Sequence, residues 1–277
     1  MPTTQKAGPA LTELDKVITR LLDPQNGCPW DLKQTPASII GHLLEETYEL
    51  IEALKAENPD DICEEAGDLL FQVIFISHLA QPRWGWGLAE VIDQVQAKMI
   101  TRHPHIFGDG PKITDTKTVL NQWQTIKRQD KKYNRLLASV PLTLPALQRA
   151  HRLNDRVERA GFNWLDTPAV RHKVDEKLAE MDKQLALYDP QTTDPAHKTR
   201  LKAEMGNVLL ALANLASRLD FSAEDALSEA NTRFINRFNY IEDKLAASGQ
   251  RPEDVSPATL EELWQQAKAT HLSNPEK

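Results

Sequence analysis

Glycine is scarce, with 11 residues in 277. A fold built on many tight turns, each wanting a residue tolerant of positive φ, is not expected from so few. Cysteine is scarcer: Cys28 and Cys63 are the only two, and neither sits in a CxxC or Cys/His spacing. That excludes a disulfide framework or a zinc site and fits a reducing cytoplasm. Long hydrophobic runs are missing too. The most apolar stretch, Leu69 to Ala80, is interrupted by Gln72, Ser77 and His78 and is too short to cross a bilayer. The opening residues, MPTTQKAGPALTELDK, lack the apolar segment of a signal peptide. A cytoplasmic chain without a membrane partner is expected. Positive charge is in deficit, with 33 Lys and Arg against 40 Asp and Glu. An acidic surface is a poor match for a nucleic-acid backbone, so no nucleic-acid partner is expected. A small anionic ligand is compatible where local cations or a metal offset the field.

What the sequence does have is helical spacing. Leu11, Leu14, Val17, Ile18, Leu21 and Leu22 predict a first helix, with residues 1–9 frayed. Asp23 to Gly27 breaks it, and Cys28-Pro29-Trp30-Asp31 forms a turn. The next helix is predicted from Thr35-Pro36, with threonine as N-cap and proline at the first position. It carries Leu43, Leu44, Tyr48, Ile51 and Leu54 and ends at Asn58-Pro59-Asp60. Further helices are predicted over 60–80, 88–102 and 118–128. No strand pattern is present. Two prolines and weak periodicity over 131–145 place a boundary between domains at 10–130 and 145–277. Beyond it, helices are predicted over 147–160, 168–188, 195–219, 222–247 and 257–270.

The second half echoes the first. Glu65-Ala66-Gly67-Asp68-Leu69-Leu70 recurs as Glu204-Met205-Gly206-Asn207-Val208-Leu209. Asn121 to Lys127 recurs as Glu262 to Lys268, each with a central tryptophan, Trp123 and Trp264. Lys98 to Arg102 has its counterpart in Arg233 to Arg237. Three matched segments in one order predict a duplicated helical domain.

Chemistry concentrates in the first repeat. Glu45, Glu46 and Glu49 share one predicted helix, and Glu46 and Glu49 are spaced to share a face. Glu65 and Asp68 have the same spacing on the next helix. A short connection makes the two helices antiparallel neighbours, so the acidic pairs face one groove. Carboxylates gathered there repel and raise each other's pKa values unless cations intervene, and hard oxygen ligands suit Mg²⁺. Gly67 sits between them inside a helix, where glycine costs about 1 kcal/mol relative to alanine, so close approach by a backbone or ligand is expected there. A solvated acidic face is the plain alternative, disfavoured by the apolar residues Leu43-Leu44 and Leu69-Leu70-Phe71 on either side.

Glu45-Glu46-x-x-Glu49 followed by Glu65-x-x-Asp68 resembles the EExxE…ExxD signature of MazG-type nucleoside triphosphate pyrophosphohydrolases. The likeness extends to Gly27 to Asp31, Arg102 to Phe107, Gly161 to Trp164 and Trp264-Gln265-Gln266, in the tandem layout of the two-domain bacterial members. It implies an all-α fold of two tandem MazG-like domains, with a four-helix catalytic arrangement completed by homodimerisation. It implies Mg²⁺ on Glu46, Glu49, Glu65 and Asp68, and hydrolysis of nucleoside triphosphates between the α- and β-phosphates. Glu45 would orient or deprotonate the attacking water. Lys98, Arg102 and Lys127 would supply positive charge to the phosphates, His42 would be a further substrate contact, and Trp123 would stack on the base. The alternative is a nucleotide sensor that binds a triphosphate with little turnover.

The second repeat departs from this pattern. Glu176, Lys177 and Glu180 stand where Glu45, Glu46 and Glu49 do, and Glu204 and Asn207 replace Glu65 and Asp68. In the two-domain relatives the C-terminal domain is the main catalytic one, whereas the intact set here is N-terminal. Structural roles are expected for the rest: His103-Pro104-His105 as a rigid corner, Trp30 and Trp164 as anchors on the core, Cys28 and Cys63 as small apolar fillers. Trp264 and Lys268 fit either packing or a degenerate nucleotide pocket.

Overall fold

The computed structural model describes residues 4–108, 135–162, 166–188 and 194–272, and between the first two stretches residues 113, 115, 116, 118, 119, 122, 123 and 126. Every regular element among them is helical, which is the all-α fold expected. No helix among them is long and apolar enough to cross a membrane. The chain divides into two compact units, Met1–Asp130 and Lys131–Lys277.

In the first unit, α1 (Thr4–Leu21) is followed by a 3₁₀ turn (Asp31–Lys33), α2 (Ile39–Ala56), α3 (Pro59–Trp84), α4 (Leu88–Arg102) and a short α5 (Pro104–Phe107). Helix α3 is the hub, since α1, α2 and α4 all pack on it. Its start is firmly specified. The Asn58 side chain accepts from the Asp60 backbone N–H, and Pro59 takes the first position, where its missing N–H costs nothing. Just before it, Glu57 adopts φ 53° and closes α2. Glu57 and Asn58 alone therefore separate the two helices, and they fold back as neighbours.

The core of this unit is small. Ile18, Ile39, Ile74 and Phe75 are buried together, flanked by Leu11, Leu14, Leu22, Phe71, Leu79 and Leu88. A polar tie joins α3 to α1, His78 Nε2 meeting Asp15 Oδ1 at 2.8 Å. Gly27 fixes the turn after α1, because a Cβ there would strike the backbone oxygens of Leu21 and Asp23.

Two predicted starts differ from the structure. Helix α1 begins at Thr4 and runs through Pro9, so residues 4–9 are not frayed. Pro9 removes only the hydrogen bond to the Gln5 carbonyl, in the first turn. Helix α2 begins at Ile39 and not at Thr35. The Ser38 Oγ accepts from the Thr35 N–H at 2.9 Å and the Thr35 Oγ1 from the Ser38 N–H at 3.2 Å. These reciprocal bonds hold 35–38 as a turn of their own, because hydroxyls compete with the helix for backbone donors.

The second unit contains α6 (Ala146–Arg159), α7 (Thr167–Leu185), α8 (Pro195–Arg218), α9 (Ala223–Ala246), a 3₁₀ turn (Pro252–Asp254) and α10 (Pro257–Leu272). The side chains of Asp166, Asp194 and Ser222 cap α7, α8 and α9. Helix α8 is the hub here, packing on α6, α7 and α9. The inter-helix tie recurs with different chemistry: Ser217 Oγ meets His151 Nδ1 at 2.8 Å between α8 and α6. Ser217 lies as far beyond Glu204 as His78 lies beyond Glu65, so the register of the sequence repeat is also that of the packing.

Phe75 is 1% exposed in the four-residue core. Phe75→Ala is expected to cost about 3–5 kcal/mol, read as a lower urea midpoint for unfolding of the first unit.

Candidate metal centre

The register of α2 against α3 is what assembles the site. Ile39 shares the core with Ile74 and Phe75. Further along α2, Glu46 accepts a hydrogen bond from the Gln72 side chain, and Glu49 acts on Glu65. Positions rise on one helix as they fall on the other, so the pair is antiparallel. The acids spaced one turn apart on each helix then face each other. One carboxylate oxygen each from Glu46, Glu49 and Glu65 lies within 4.8 Å of the others. Asp68 stands outside that group of three, but its charge bears on both Glu46 and Glu65.

The electrostatics are those of a site short of cations. Burial is the largest influence raising the Glu46 pKa, followed by the charges of Asp68 and Glu49, while the Gln72 hydrogen bond pulls it back. Glu65 is raised in the same way, by burial first and then by Glu49 and Asp68. Glu46 and Glu65 are half-buried, and Glu49 and Asp68 are exposed, so the cluster opens to solvent on one side.

Gln72 was not among the sequence candidates. It reads as a polar interruption in an apolar run, yet it lies one turn beyond Asp68 on the same helix. It is 7% exposed. Its amide group serves Glu46, and its Oε1 is buried without a hydrogen-bond partner. A buried acceptor left unpaired is costly, and a cation-bound water beside Glu46 would supply a donor. Three clustered carboxylates, a fourth within electrostatic reach and an orphaned amide oxygen form an all-oxygen donor set, which fits a hard divalent cation.

The remaining candidates fall into smaller groups. Glu45 is exposed beside Glu46, with its Oε2 3.9 Å from His42 Nδ1. Trp30 meets His42 edge-on, ring centroids 5.5 Å apart. The guanidinium of Arg102 lies 5.6 Å from the centre of the Trp123 ring. Lys98 is exposed on α4. Lys127 and Trp164 lie outside the described residues.

Some expectations are corrected. Trp30 is 55% exposed, so it is a surface aromatic beside His42 and not a core anchor. Cys63 is exposed and fills no apolar space, while Cys28 is half-buried. Among the described residues, nothing beyond Gly67's own stretch of helix would come within 4 Å of a Cβ there, so no other helix of this chain approaches it closely. The corner at His103 does form: its Nδ1 lies 2.7 Å from the Met99 carbonyl, and its ring packs on His105.

The equivalent positions of the second unit look different. Lys177 Nζ donates to Glu180 Oε2 at 2.6 Å, and the Asn207 amide donates to Glu204 Oε2 at 3.1 Å. Glu176 pairs with Lys173, whose hydrogen bond holds its carboxyl below the ordinary range. The aromatic–cation grouping persists. Arg237 and Lys268 lie 5.8 and 5.9 Å from the centre of the Trp264 ring.

Comparison with known proteins places these features. The MazG nucleotide pyrophosphohydrolase domain matches residues 34–107, the stretch holding Glu45, Glu46, Glu49, Glu65 and Asp68. The chain is 38% identical over 268 residues to the nucleoside triphosphate pyrophosphohydrolase of Escherichia coli, covering 95% of this chain and 99% of that one. It is 35% identical over 266 residues to the nucleoside triphosphate pyrophosphohydrolase/pyrophosphatase MazG of Thermotoga maritima, covering 95% and 98%. The chain belongs to the MazG family. A solved structure of a mazG-related protein from Thermotoga maritima is also similar, at 26% identity and a TM-score of 0.37, over 42% of this chain and 98% of that one.

A raised carboxylate pKa in the folded state means that folding retains protons the unfolded chain has released. Stability from Glu46 and Glu65 is therefore present at low pH and lost as pH rises from the ordinary carboxylate range through the raised values. In chelator, Glu65→Gln is expected to melt above wild type at pH 7, the gap closing toward pH 4. Adding Mg²⁺ should raise the melting temperature of wild type and leave the variant nearly unmoved.

Proposed function

We propose that the first unit hydrolyses nucleoside and deoxynucleoside triphosphates to monophosphate and pyrophosphate, with Mg²⁺ held by Glu46, Glu49, Glu65 and Asp68. The observation that carries this reading is the convergence of Glu46, Glu49 and Glu65 within 4.8 Å, inside the stretch matching the pyrophosphohydrolase domain. The metal supplies neutralisation of phosphate charge and acidification of a bound water.

The chain's own residues do the rest. Gln72 holds Glu46 by hydrogen bonding, and its buried, unpartnered Oε1 would accept from a water on the bound cation. Glu45, exposed at the edge of the cluster and beside His42, takes the proton of the water that attacks the α-phosphorus, and pyrophosphate leaves. Trp123 stacks on the base, a contact open to every base because each has a π-face. Arg102, whose guanidinium lies over that ring, would contact the phosphates together with Lys98 and Lys127. His42 and Trp30 border the same acids and extend the substrate contacts.

A homodimer completes the arrangement. Ile40, Leu44, Tyr48, Ile51 and Leu54 recur at helical spacing along α2, and each is 39–65% exposed. An apolar row of that length on the helix carrying the acids is suited to burial against a second copy.

Resolving the products of an NTP and dNTP panel with Mg²⁺ tests the reading. Monophosphate and pyrophosphate are expected, with ¹⁸O from labelled water in the monophosphate. Diphosphate and orthophosphate would overturn the bond assignment, and binding without product would leave a nucleotide sensor. Glu65→Gln should lower kcat by at least about 100-fold, Glu204→Gln should leave it unchanged, and Trp123→Ala should raise KM more than it lowers kcat.

A further inference from the structure

The second unit contains the same helix pair with its charges rearranged. Helices α7 and α8 are antiparallel: the Gln184 carbonyl accepts from His197 Nε2 at 3.0 Å, and earlier on α7, Lys177 lies in the field of Glu204, later on α8. In the repeat register, Lys177 occupies the place of Glu46 and Asn207 that of Asp68, while Glu180 and Glu204 keep the places of Glu49 and Glu65.

Each surviving carboxylate has a donor from within the unit. Lys177 Nζ is 2.6 Å from Glu180 Oε2, and the Asn207 amide is 3.1 Å from Glu204 Oε2. The hydrogen bond that Lys177 donates to Glu180, with the charges of Glu180 and Glu204, holds Lys177 protonated above the ordinary lysine range. Glu176, the counterpart of Glu45, is taken up by Lys173 and faces His172 at 3.5 Å. The first unit gathers five carboxylates there, and the second gathers three with an ammonium among them.

This donor set does not fit Mg²⁺. The ion needs hard oxygen ligands in near-octahedral order. A divalent cation here would have to displace an ammonium already bonded to one of the two remaining ligand carboxylates. It would then stand beside that ammonium in a medium of reduced dielectric, where like charges repel more strongly than in water.

We propose that Lys177 is the resident cation of the second unit, standing where the first unit takes a divalent metal, so that this unit binds no divalent ion and holds no hydrolytic centre. The lysine does permanently what the metal does reversibly: it neutralises the facing acids of the helix pair. The second unit then keeps its fold through swings in free Mg²⁺ that alter the first. The inference rests on the reading of the first unit's acids as the divalent site.

Mn²⁺ binding to the full chain, counted by electron paramagnetic resonance of the free ion, tests it. In wild type the sites should disappear with Glu65→Gln and persist with Glu204→Gln. The double variant Lys177→Glu/Asn207→Asp rebuilds four carboxylates and should gain a second set of sites, retained when Glu65→Gln is added. Wild-type sites that survive Glu65→Gln but vanish with Glu204→Gln would overturn the proposal, whether or not the double variant folds. Sites indifferent to both single substitutions but increased by the double variant would remove the first-unit reading and leave the role of Lys177 standing.

Discussion

Two residues, Glu57 and Asn58, join α2 to α3, and the antiparallel packing they enforce sets like charges against each other. Helix α3 divides its labour along its length. Its first turns carry Glu65, Asp68 and Gln72 against Glu46 and Glu49, and its later turns carry Ile74 and Phe75 against Ile18 and Ile39. The apolar end stabilises the pairing that the acidic end opposes. A buried aliphatic or aromatic side chain contributes about 1.5–3 kcal/mol, enough for four of them to hold the seam against partly solvated carboxylates. The site is therefore strained toward cation uptake by the same contact that builds the fold, and no flexible loop is needed to gather its ligands.

The two units resolve this one problem in different ways. In the first, burial and neighbouring charges raise Glu46 and Glu65, the signature of a site that gains on binding a cation. In the second, Glu176 is lowered and Lys177 raised, each by a hydrogen bond to an opposite charge, the signature of a site whose charge is largely offset from within. Half-exposed ion pairs of this kind contribute little net stability, on the order of 0–1 kcal/mol each. Their effect is on which ligands the helix pair accepts. The inter-helix ties differ as well: His78 and Ser217 share a place on the hub helix, and one meets Asp15 where the other meets His151.

Much of this was legible in the amino-acid order, because a carboxylate spacing of three and a short Asn-Pro connection have only one economical helical solution. The all-α fold and the facing of Glu46, Glu49 and Glu65 follow from those two signals. Gln72 was hidden, since an amide in an apolar run looks like an interruption until the partner helix supplies Glu46. Thr35-Pro36 is a sound helix opening taken alone, and only the Thr35–Ser38 bonding shows the competing turn that moves the start of α2 to Ile39. Trp30 departs from expectation for a different reason. Bulk predicts burial on average, but the short turn that carries it leaves no layer to bury it against, and it lies at the surface beside His42.

The aromatic–cation grouping is common to both units, whereas the acidic sets differ. Arg102 on Trp123 and Arg237 on Trp264 share a distance near 5.7 Å in units whose carboxylate chemistry has diverged. A stacked guanidinium contributes locally, about 0.5–1 kcal/mol where exposed, and needs no metal to hold it. The acidic quartet differs: each member is costly without the others and the cation, so losing Asp68's counterpart to asparagine removes much of the reason to keep the rest. Lys177, on the facing helix, gives Glu180 the donor that a carboxylate in its place could not. The second unit thus keeps the stacked pair, which needs no metal, and only those acids that have a donor from within the unit.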